Sequence, residues 1–389
     1  MKYDFIIIGN GIAGFTAAKN LSKSNKKILI ISRENENTYY RTKLSEFISE
    51  DFTEKELFVT KSLRYEENNV DVLLGANAIK IDKENKKIIL SDKREFEYDK
   101  LLLATGASAF IPPIEGINAK GVFAIRTIDD LNNFKEYLKT SKKVAVIGGG
   151  ILGLEAAFSI KKANKEVLVI EGAPEILSRQ LDTELSRKLE KELNKIGIET
   201  KKGTNTSKIL SENGKVIGIE FDDTTQIEAD VVLVQTGVRS NLDLAKNSSI
   251  KTDRGILANE ELKVLDEEDI FTAGDCAQIN NITMGLWTAS MDMGKIASSN
   301  MLGENLKYET PKLFTFLNIG NIKVFSAGEN KDVIEEKRED ENGIYKIFKR
   351  DGKIVGGILW NNTKYMNDLK KVVFEGKDLK ETKLNEIFS

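Results

Sequence analysis

Histidine is absent from this sequence of 389 residues, and cysteine occurs once, at Cys276. Without histidine there is no imidazole general base and no imidazole metal site. A cysteine-ligated iron–sulfur cluster needs about four thiolates, and a redox disulfide needs a pair. Long apolar runs are missing as well, since none approaches the roughly 20 residues of a bilayer-spanning helix. Charge of one sign is not in excess: 58 Lys and Arg face 61 Asp and Glu, a net charge of −3 with no long like-charge block. Nucleic acid and membrane are therefore not expected partners. The first apolar run begins almost at residue 1, which leaves no room for a signal peptide, so a cytoplasmic protein is expected. Whatever chemistry the chain performs is expected to reside in a bound organic cofactor, with the protein supplying position and electrostatics.

Two glycine-rich turns are what the sequence does contain. Gly9-Asn10-Gly11-Ile12-Ala13-Gly14 follows the apolar run Phe5–Ile8, and Gly148-Gly149-Gly150-Ile151-Leu152-Gly153 follows Val144–Ile147. Each reads G-x-G-x-x-G between a buried strand and a helix, the context that makes the pattern a dinucleotide-binding fingerprint. The first glycine makes the turn, the second lets backbone approach a pyrophosphate, and the third lets helix pack on strand. The helix N-terminus then faces the phosphates with free N–H groups and partial positive charge. Two such sites predict two dinucleotides and hydride traffic between them. A carboxylate about 20 residues further on accepts ribose hydroxyls. Glu171 fills that place in the second unit, with no Arg or Lys directly after it for a 2′-phosphate, which favours NADH over NADPH. Glu34 is the counterpart in the first unit, slightly later than the spacing asks.

The pattern predicts an α/β chain with two Rossmann-like dinucleotide-binding domains. The first is discontinuous, residues 1–110 and 237–310, with the second inserted at 111–236. A small C-terminal α+β domain covers 311–389. Strands are expected at 27–32, in a hairpin of 78–82 and 87–90, and at 98–104, 166–171, 231–235 and 269–275. The last domain is expected to alternate strands at 323–326, 344–348 and 354–359 with helical segments. Ala104-Thr105-Gly106 and Gly274-Asp275 are strand ends of the form expected where backbone passes a flavin.

The order of these motifs resembles the two-dinucleotide flavoprotein reductases, the pyridine nucleotide-disulfide oxidoreductase superfamily. Tyr39-Tyr40-Arg41-Thr42-Lys43-Leu44-Ser45 resembles the flavin-contacting segment of NADH:rubredoxin reductases and of the flavin portion of nitrite reductases. Arg179-Gln180-Leu181-Asp182, Gly237-Val238-Arg239-Ser240-Asn241-Leu242-Asp243 and Phe325-Ser326-Ala327-Gly328 are similar to the same branch. The resemblance implies FAD on Gly9, Gly11, Ile12, Ala13 and Gly14, with Glu34 at its ribose and Ala78 at its adenine. It implies Arg41, Lys43, Leu44 and Ser45 near the flavin. Ala104, Thr105, Gly106, Arg126, Gly274, Asp275, Trp287 and Thr288 would complete that pocket. NADH would lie on Gly148, Gly150, Ile151, Leu152 and Gly153, with Glu171 at its ribose and Gly237 and Val238 near the nicotinamide. Glu155 and Lys43 are the implied catalytic residues, Glu155 as a carboxylate beside nicotinamide and flavin.

Departures from the family narrow the chemistry. The C-x₄-C pair of the disulfide reductases is absent, and so is the single cysteine that peroxide- and oxygen-reducing relatives carry near Thr42 or Lys43. Glu46 stands where ferredoxin-reductase relatives have Lys, Asn318 where the last domain usually offers Lys, and Ser240 where the family has proline. The resemblance thus implies an NADH-dependent FAD reductase with electrons leaving through the flavin edge to an external carrier, rubredoxin first. An NADH oxidase or other small-molecule reductase, the flavin subunit of a nitrite reductase, and an NADH-sensing binding protein remain alternatives.

Overall fold

Five segments lie side by side in the first sheet, Ile28–Ile31 and Ile270–Thr272 buried throughout. A computed structural model describes residues 1–59 and 69–389. The strand order is Val70–Leu73, Ile28–Ile31, Lys2–Ile8, Glu95–Leu103, Ile270–Thr272, all parallel. Continuous Ile and Leu runs are what a parallel sheet covered on both faces requires. The first half of Glu95–Leu103 also pairs antiparallel with Lys87–Leu90, which closes a hairpin on Ala78–Asp82. One face is covered by the helices Ile12–Leu21 and Trp287–Met301, through Phe15, Ala17, Leu21, Ala289, Met293 and Ala297. A Cβ at Gly294 would overlap the carbonyl oxygen of Ala13, so these helices cross with backbone in contact. The other face is covered by Leu242, Leu244, Ala245 and Ile250. This unit comprises Met1–Lys43, Phe52–Phe110 and Gly237–Pro311.

The second unit comprises Leu44–Asp51, Ile111–Thr236 and Lys312–Ser389. Its parallel sheet has the order Ile198–Lys202, Glu166–Glu171, Lys143–Ile147, Val231–Val234, Val122–Phe123. Helix Ile151–Lys162 leaves the Lys143–Ile147 strand through the second glycine-rich turn. An antiparallel meander of Thr206–Glu212, Lys215–Phe221 and Gln226–Glu228 packs on the sheet through Ile209, Ile219 and Phe221. The segment Leu44–Asp51 is tied into this unit by ion pairs of Lys162 with Glu50 and of Lys135 with Asp51.

The C-terminal part of that unit is a five-stranded antiparallel sheet of order Phe314–Ile319, Ile322–Gly328, Lys353–Trp360, Ile344–Arg350, Ile334–Glu339. Helix Met366–Glu375 packs on it with Leu369 and Val372. Helices follow the sheet here and do not alternate with its strands, a correction to the pattern expected from sequence. The Phe314–Ile319 and Ile334–Glu339 strands were not foreseen. Lys346, 1% exposed, points from this sheet to three carboxylates: Asp182 at 2.8 Å, Glu184 at 2.6 Å and Glu335 at 2.9 Å. Asp182 also caps helix Thr183–Lys195 by accepting from the Leu185 N–H at 2.9 Å. Nearby, the Ser326 hydroxyl donates to the Gln180 carbonyl at 2.7 Å. The two motifs around Gln180 and Ser326 thus hold the C-terminal sheet against the element that follows the nucleotide-type sheet.

Candidate functional site

The first cradle is built by three glycines with three different jobs. Gly9 has φ +112°, and a Cβ there would overlap the carbonyl oxygen of Ala104. A Cβ at Gly14 would overlap the carbonyl of Gly9, so helix and turn touch through backbone. Gly11 is different. It caps helix Ile12–Leu21 in extended backbone, φ −76° and ψ −177°, with no side-chain hydrogen bond to the helix end. A Cβ built on it meets nothing within 4 Å. Free N–H groups, a helix dipole and open space at the cap are what a pyrophosphate needs, so these residues fit FAD. The Thr38 hydroxyl, 2.9 Å from the Asn10 carbonyl, pins the turn.

Around it Glu34, Tyr39 and Arg41 come together in a charged cluster. The Tyr39 hydroxyl donates to Glu34 Oε2 at 2.6 Å, and Arg41 pairs with Glu34 Oε1. Arg41 also donates to the Tyr39 oxygen at 2.6 Å and lies 4.7 Å over that ring. Burial opposes the guanidinium charge, but Tyr39, Glu34 and Asp275 outweigh it and hold its pKa above the ordinary value. Glu34, expected at the ribose, is thus engaged with Arg41, expected at the flavin. Lys43 lies 5.4 Å over the Tyr40 ring and donates to the Glu56 carbonyl at 3.3 Å. The Tyr40 and Trp287 rings lie 5.3 Å apart, and exposed Thr288 follows in the first turn of the same helix. Ala78 opens the hairpin strand that ends at Asp82.

Asn241 is the residue sequence reasoning passed over. It accepts from the Ser108 hydroxyl at 2.7 Å, donates to the Thr105 carbonyl at 2.9 Å, and its carbonyl accepts from the Thr105 hydroxyl at 2.9 Å. It therefore fixes the Ala104-Thr105-Gly106 turn; its place in a branch motif was the available signal. Asp275, after Gly274, accepts from the Ser290 hydroxyl at 3.1 Å, and its carbonyl accepts from the Ser240 hydroxyl at 2.7 Å. Ser240 thus supplies a hydrogen bond that proline in its place has no hydroxyl to make. Cys276 is fully buried against the Leu103 and Ala273 carbonyls, each at 3.4 Å. Gly237 accepts from the Phe110 N–H at 2.8 Å and Val238 pairs with Ala109, both within this unit.

The second cradle repeats the first. Gly148 has φ +118°, and Cβ atoms at Gly148 and Gly153 would overlap the carbonyls of Gln235 and Gly148. Gly150 caps helix Ile151–Lys162 in extended backbone without a side-chain bond, and a Cβ there meets nothing within 4 Å. Ile151 and Leu152 form the first helical turn, Leu152 exposed. Glu171 accepts from the Gly149 N–H and from the Ala173 N–H, each at 2.8 Å. It is therefore anchored at the strand end beside the turn, where a ribose-accepting carboxylate belongs, and the cradle fits NADH. Arg126 precedes the Thr127 capping box, its backbone N–H donating to Asp130 at 3.0 Å. Leu44 and Ser45 are buried in this unit, and Asn318 is exposed on its strand. Among the described residues no group of metal-ligating side chains occurs, and no helix is long and apolar enough to cross a membrane.

Glu155 lies on the second turn of helix Ile151–Lys162. Burial first, and the neighbouring Glu46 carboxylate second, push its pKa up to about 7 from 4.5. Lys162 on the same helix and Lys135 are paired with Glu50 and Asp51. A carboxyl with a raised native pKa favours the fold when protonated and disfavours it when charged. The wild type is therefore expected to lose stability relative to Glu155→Gln as pH rises from about 4.5 through about 7. The size is of order 2 kcal/mol, read from paired denaturant melts at pH 5 and pH 8.

The chain belongs to the pyridine nucleotide-disulphide oxidoreductase family, whose model matches residues 3–294. A second model, the rubredoxin NAD+ reductase C-terminal domain, matches residues 314–377. The chain is 36% identical over 98% of its length to a nitrite reductase [NAD(P)H] of Bacillus subtilis, of which it covers 48%. It is 33% identical over 90% of its length to an NADH oxidase of Methanocaldococcus jannaschii, covering 86% of that protein. The crystal structure of NADH:rubredoxin oxidoreductase from Clostridium acetobutylicum superimposes with a TM-score of 0.84 at 27% identity, covering 100% of both chains. The chain spans about half the length of the two Bacillus subtilis relatives it matches, 48% and 50%.

Proposed function

We propose that this chain is an FAD-dependent reductase that takes hydride from NADH and passes electrons to a small carrier protein, with rubredoxin the first candidate. The observation that carries this reading is the duplicated cradle: Gly11 and Gly150 each leave an uncapped helix end facing open space. FAD supplies the chemistry, accepting a hydride as a pair and releasing electrons singly. The chain's own residues bind, orient and tune. Backbone N–H groups at Ile12 and Ala13 hold one pyrophosphate, and those at Ile151 and Leu152 the other. Asn241 fixes the Thr105-Gly106 turn and Ser290 orients Asp275. Arg41, charged and largely enclosed, favours negative charge on a group beside it. The chain has one cysteine, so no dithiol stands between the flavin and an outside acceptor. A donor that is the cell's own NADH supports a cytoplasmic setting.

Direct reduction of oxygen is the second reading, favoured by the similarity to the protein named NADH oxidase. Anaerobic titration of the purified yellow protein tests the first. One equivalent of NADH is expected to bleach the flavin band, with NADPH at least about tenfold slower, the ratio set by one 2′-phosphate against a carboxylate. Rubredoxin is then expected to reoxidise the flavin faster than air does. A protein that stays oxidised in NADH is not a reductase of this kind, and one reoxidised faster by air is an oxidase.

A further inference from the structure

The lysine opposite Glu171 in the neighbouring strand is already paired. Glu171 ends the Glu166–Glu171 strand, and its Cα partner in the adjacent parallel strand is Lys202. Neighbouring strands lie about 4.8 Å apart, so a free Lys202 ammonium would reach the ground beside the Glu171 carboxylate. Instead it lies 2.6 Å from Glu175 Oε2 and 2.8 Å from Glu190 Oε2. Glu175 follows Glu171 by four residues, and its other oxygen accepts from Arg187 Nε at 3.2 Å. Glu190 is itself held by the Thr200 hydroxyl at 3.1 Å. The side chains of Glu175, Lys202 and Glu190 are only 16%, 23% and 24% exposed, so solvent screens these pairs weakly.

Resting on the reading of Gly148–Gly153 as a nicotinamide-dinucleotide cradle, we propose that Glu175 is a specificity-determining residue that withholds Lys202 from a 2′-phosphate. A phosphate is recognised by Lys and Arg through charge-assisted hydrogen bonds. Here the Lys202 ammonium is held between two carboxylates before any ligand arrives, so a 2′-phosphate meets the Glu171 carboxylate without that cation. Discrimination against NADPH thus has two parts, repulsion by Glu171 and sequestration by Glu175. Only the first was legible from the residues after Glu171.

The test measures binding of adenosine 2′,5′-bisphosphate and of 5′-AMP to the FAD-loaded protein by calorimetry. Glu175→Gln is expected to bind the bisphosphate about tenfold tighter, the scale of one released charge pair, with 5′-AMP affinity unchanged. High salt is expected to erase the gain. KM for NADPH is expected to fall while KM for NADH stays constant. Glu190→Gln, which removes the other carboxylate on the same ammonium, is expected to act in the same direction, and Glu175→Asp to keep the wild-type preference. Unchanged bisphosphate binding in both Gln variants overturns the proposal, as does an equal shift for both nucleotides, which marks a purely structural role. Wild-type protein that binds neither 5′-AMP nor NADH overturns the cradle reading itself, and the proposal with it.

Discussion

Gly11→Ala is expected to give a folded protein that purifies without colour. The backbone at Gly11 is extended, φ −76° and ψ −177°, a conformation any residue adopts, and its Cβ would meet nothing within 4 Å. Apoprotein stability is therefore expected to change by no more than about 1 kcal/mol, the entropy gain of Gly→Ala offsetting the poorer N-cap. The methyl group occupies the space that a pyrophosphate requires, and FAD affinity is expected to fall at least about 100-fold, the loss of one or two charge-assisted hydrogen bonds. Gly150→Ala is the matching experiment on the second cradle. It is expected to stay yellow while losing NADH binding to the same degree. Gly14→Ala and Gly153→Ala serve as the contrast, because their Cβ atoms would overlap the carbonyls of Gly9 and Gly148. These are expected to cost about 1–3 kcal/mol in the fold itself. Circular dichroism, a thermal melt and the flavin absorbance of each variant separate the two classes. If Gly11→Ala and Gly150→Ala retain both ligands, the cradles do not hold pyrophosphates.

Lys346→Met is expected to loosen the second unit. Methionine keeps the volume, but three carboxylates lose the one buried cation that Asp182, Glu184 and Glu335 share. Breaking a buried pair from one side costs about 3–5 kcal/mol. Solvent reaches Glu184 and Glu335, with side chains 50% and 38% exposed, so the low end of that range is expected. Lys337→Met is the control: its pairs with Glu184 and Glu339 lie at the surface, and a change below about 1 kcal/mol is expected. The pH dependence gives the sign. Lys337 and Lys346 hold the Glu184 carboxyl below its ordinary value of 4.5. A depressed carboxyl stabilises the fold above its unfolded pKa and loses that contribution as pH falls through the folded one. The gap between wild type and Lys346→Met is therefore expected to be full at pH 7 and to narrow below about pH 4. Denaturant melts at both pH values measure it, and a gap independent of pH would mean that packing, not charge, holds this site.

The sequence made the two cradles legible because their glycines do steric work that no other residue does. Strand and turn alternation likewise marked the hairpin Ala78–Asp82 and Lys87–Leu90, which the structure reproduces residue for residue. Two strands of the C-terminal sheet were illegible for opposite reasons. Ile334–Glu339 is an edge strand with five charged residues in six, so it carries no apolar alternation. Phe314–Ile319 lies on the other edge and leaves Phe314 and Phe316 exposed, blurring its period. In the candidate site, residue identities were readable and their partners were not. The engagement of Glu34 by Arg41, and of Lys202 by Glu175 and Glu190, depends on where turns bring charges together across 7, 27 and 12 positions of chain.

The path of the polypeptide has a practical corollary. It passes from one unit to the other five times, after Lys43, Asp51, Phe110, Thr236 and Pro311. Neither half is a contiguous stretch of gene, so no pair of cloning boundaries isolates one without severing the other. A protease that nicks after Asp51, Phe110 or Thr236 leaves two fragments that each still own pieces of both, and such a nicked molecule should run as two bands under denaturation yet stay whole by gel filtration.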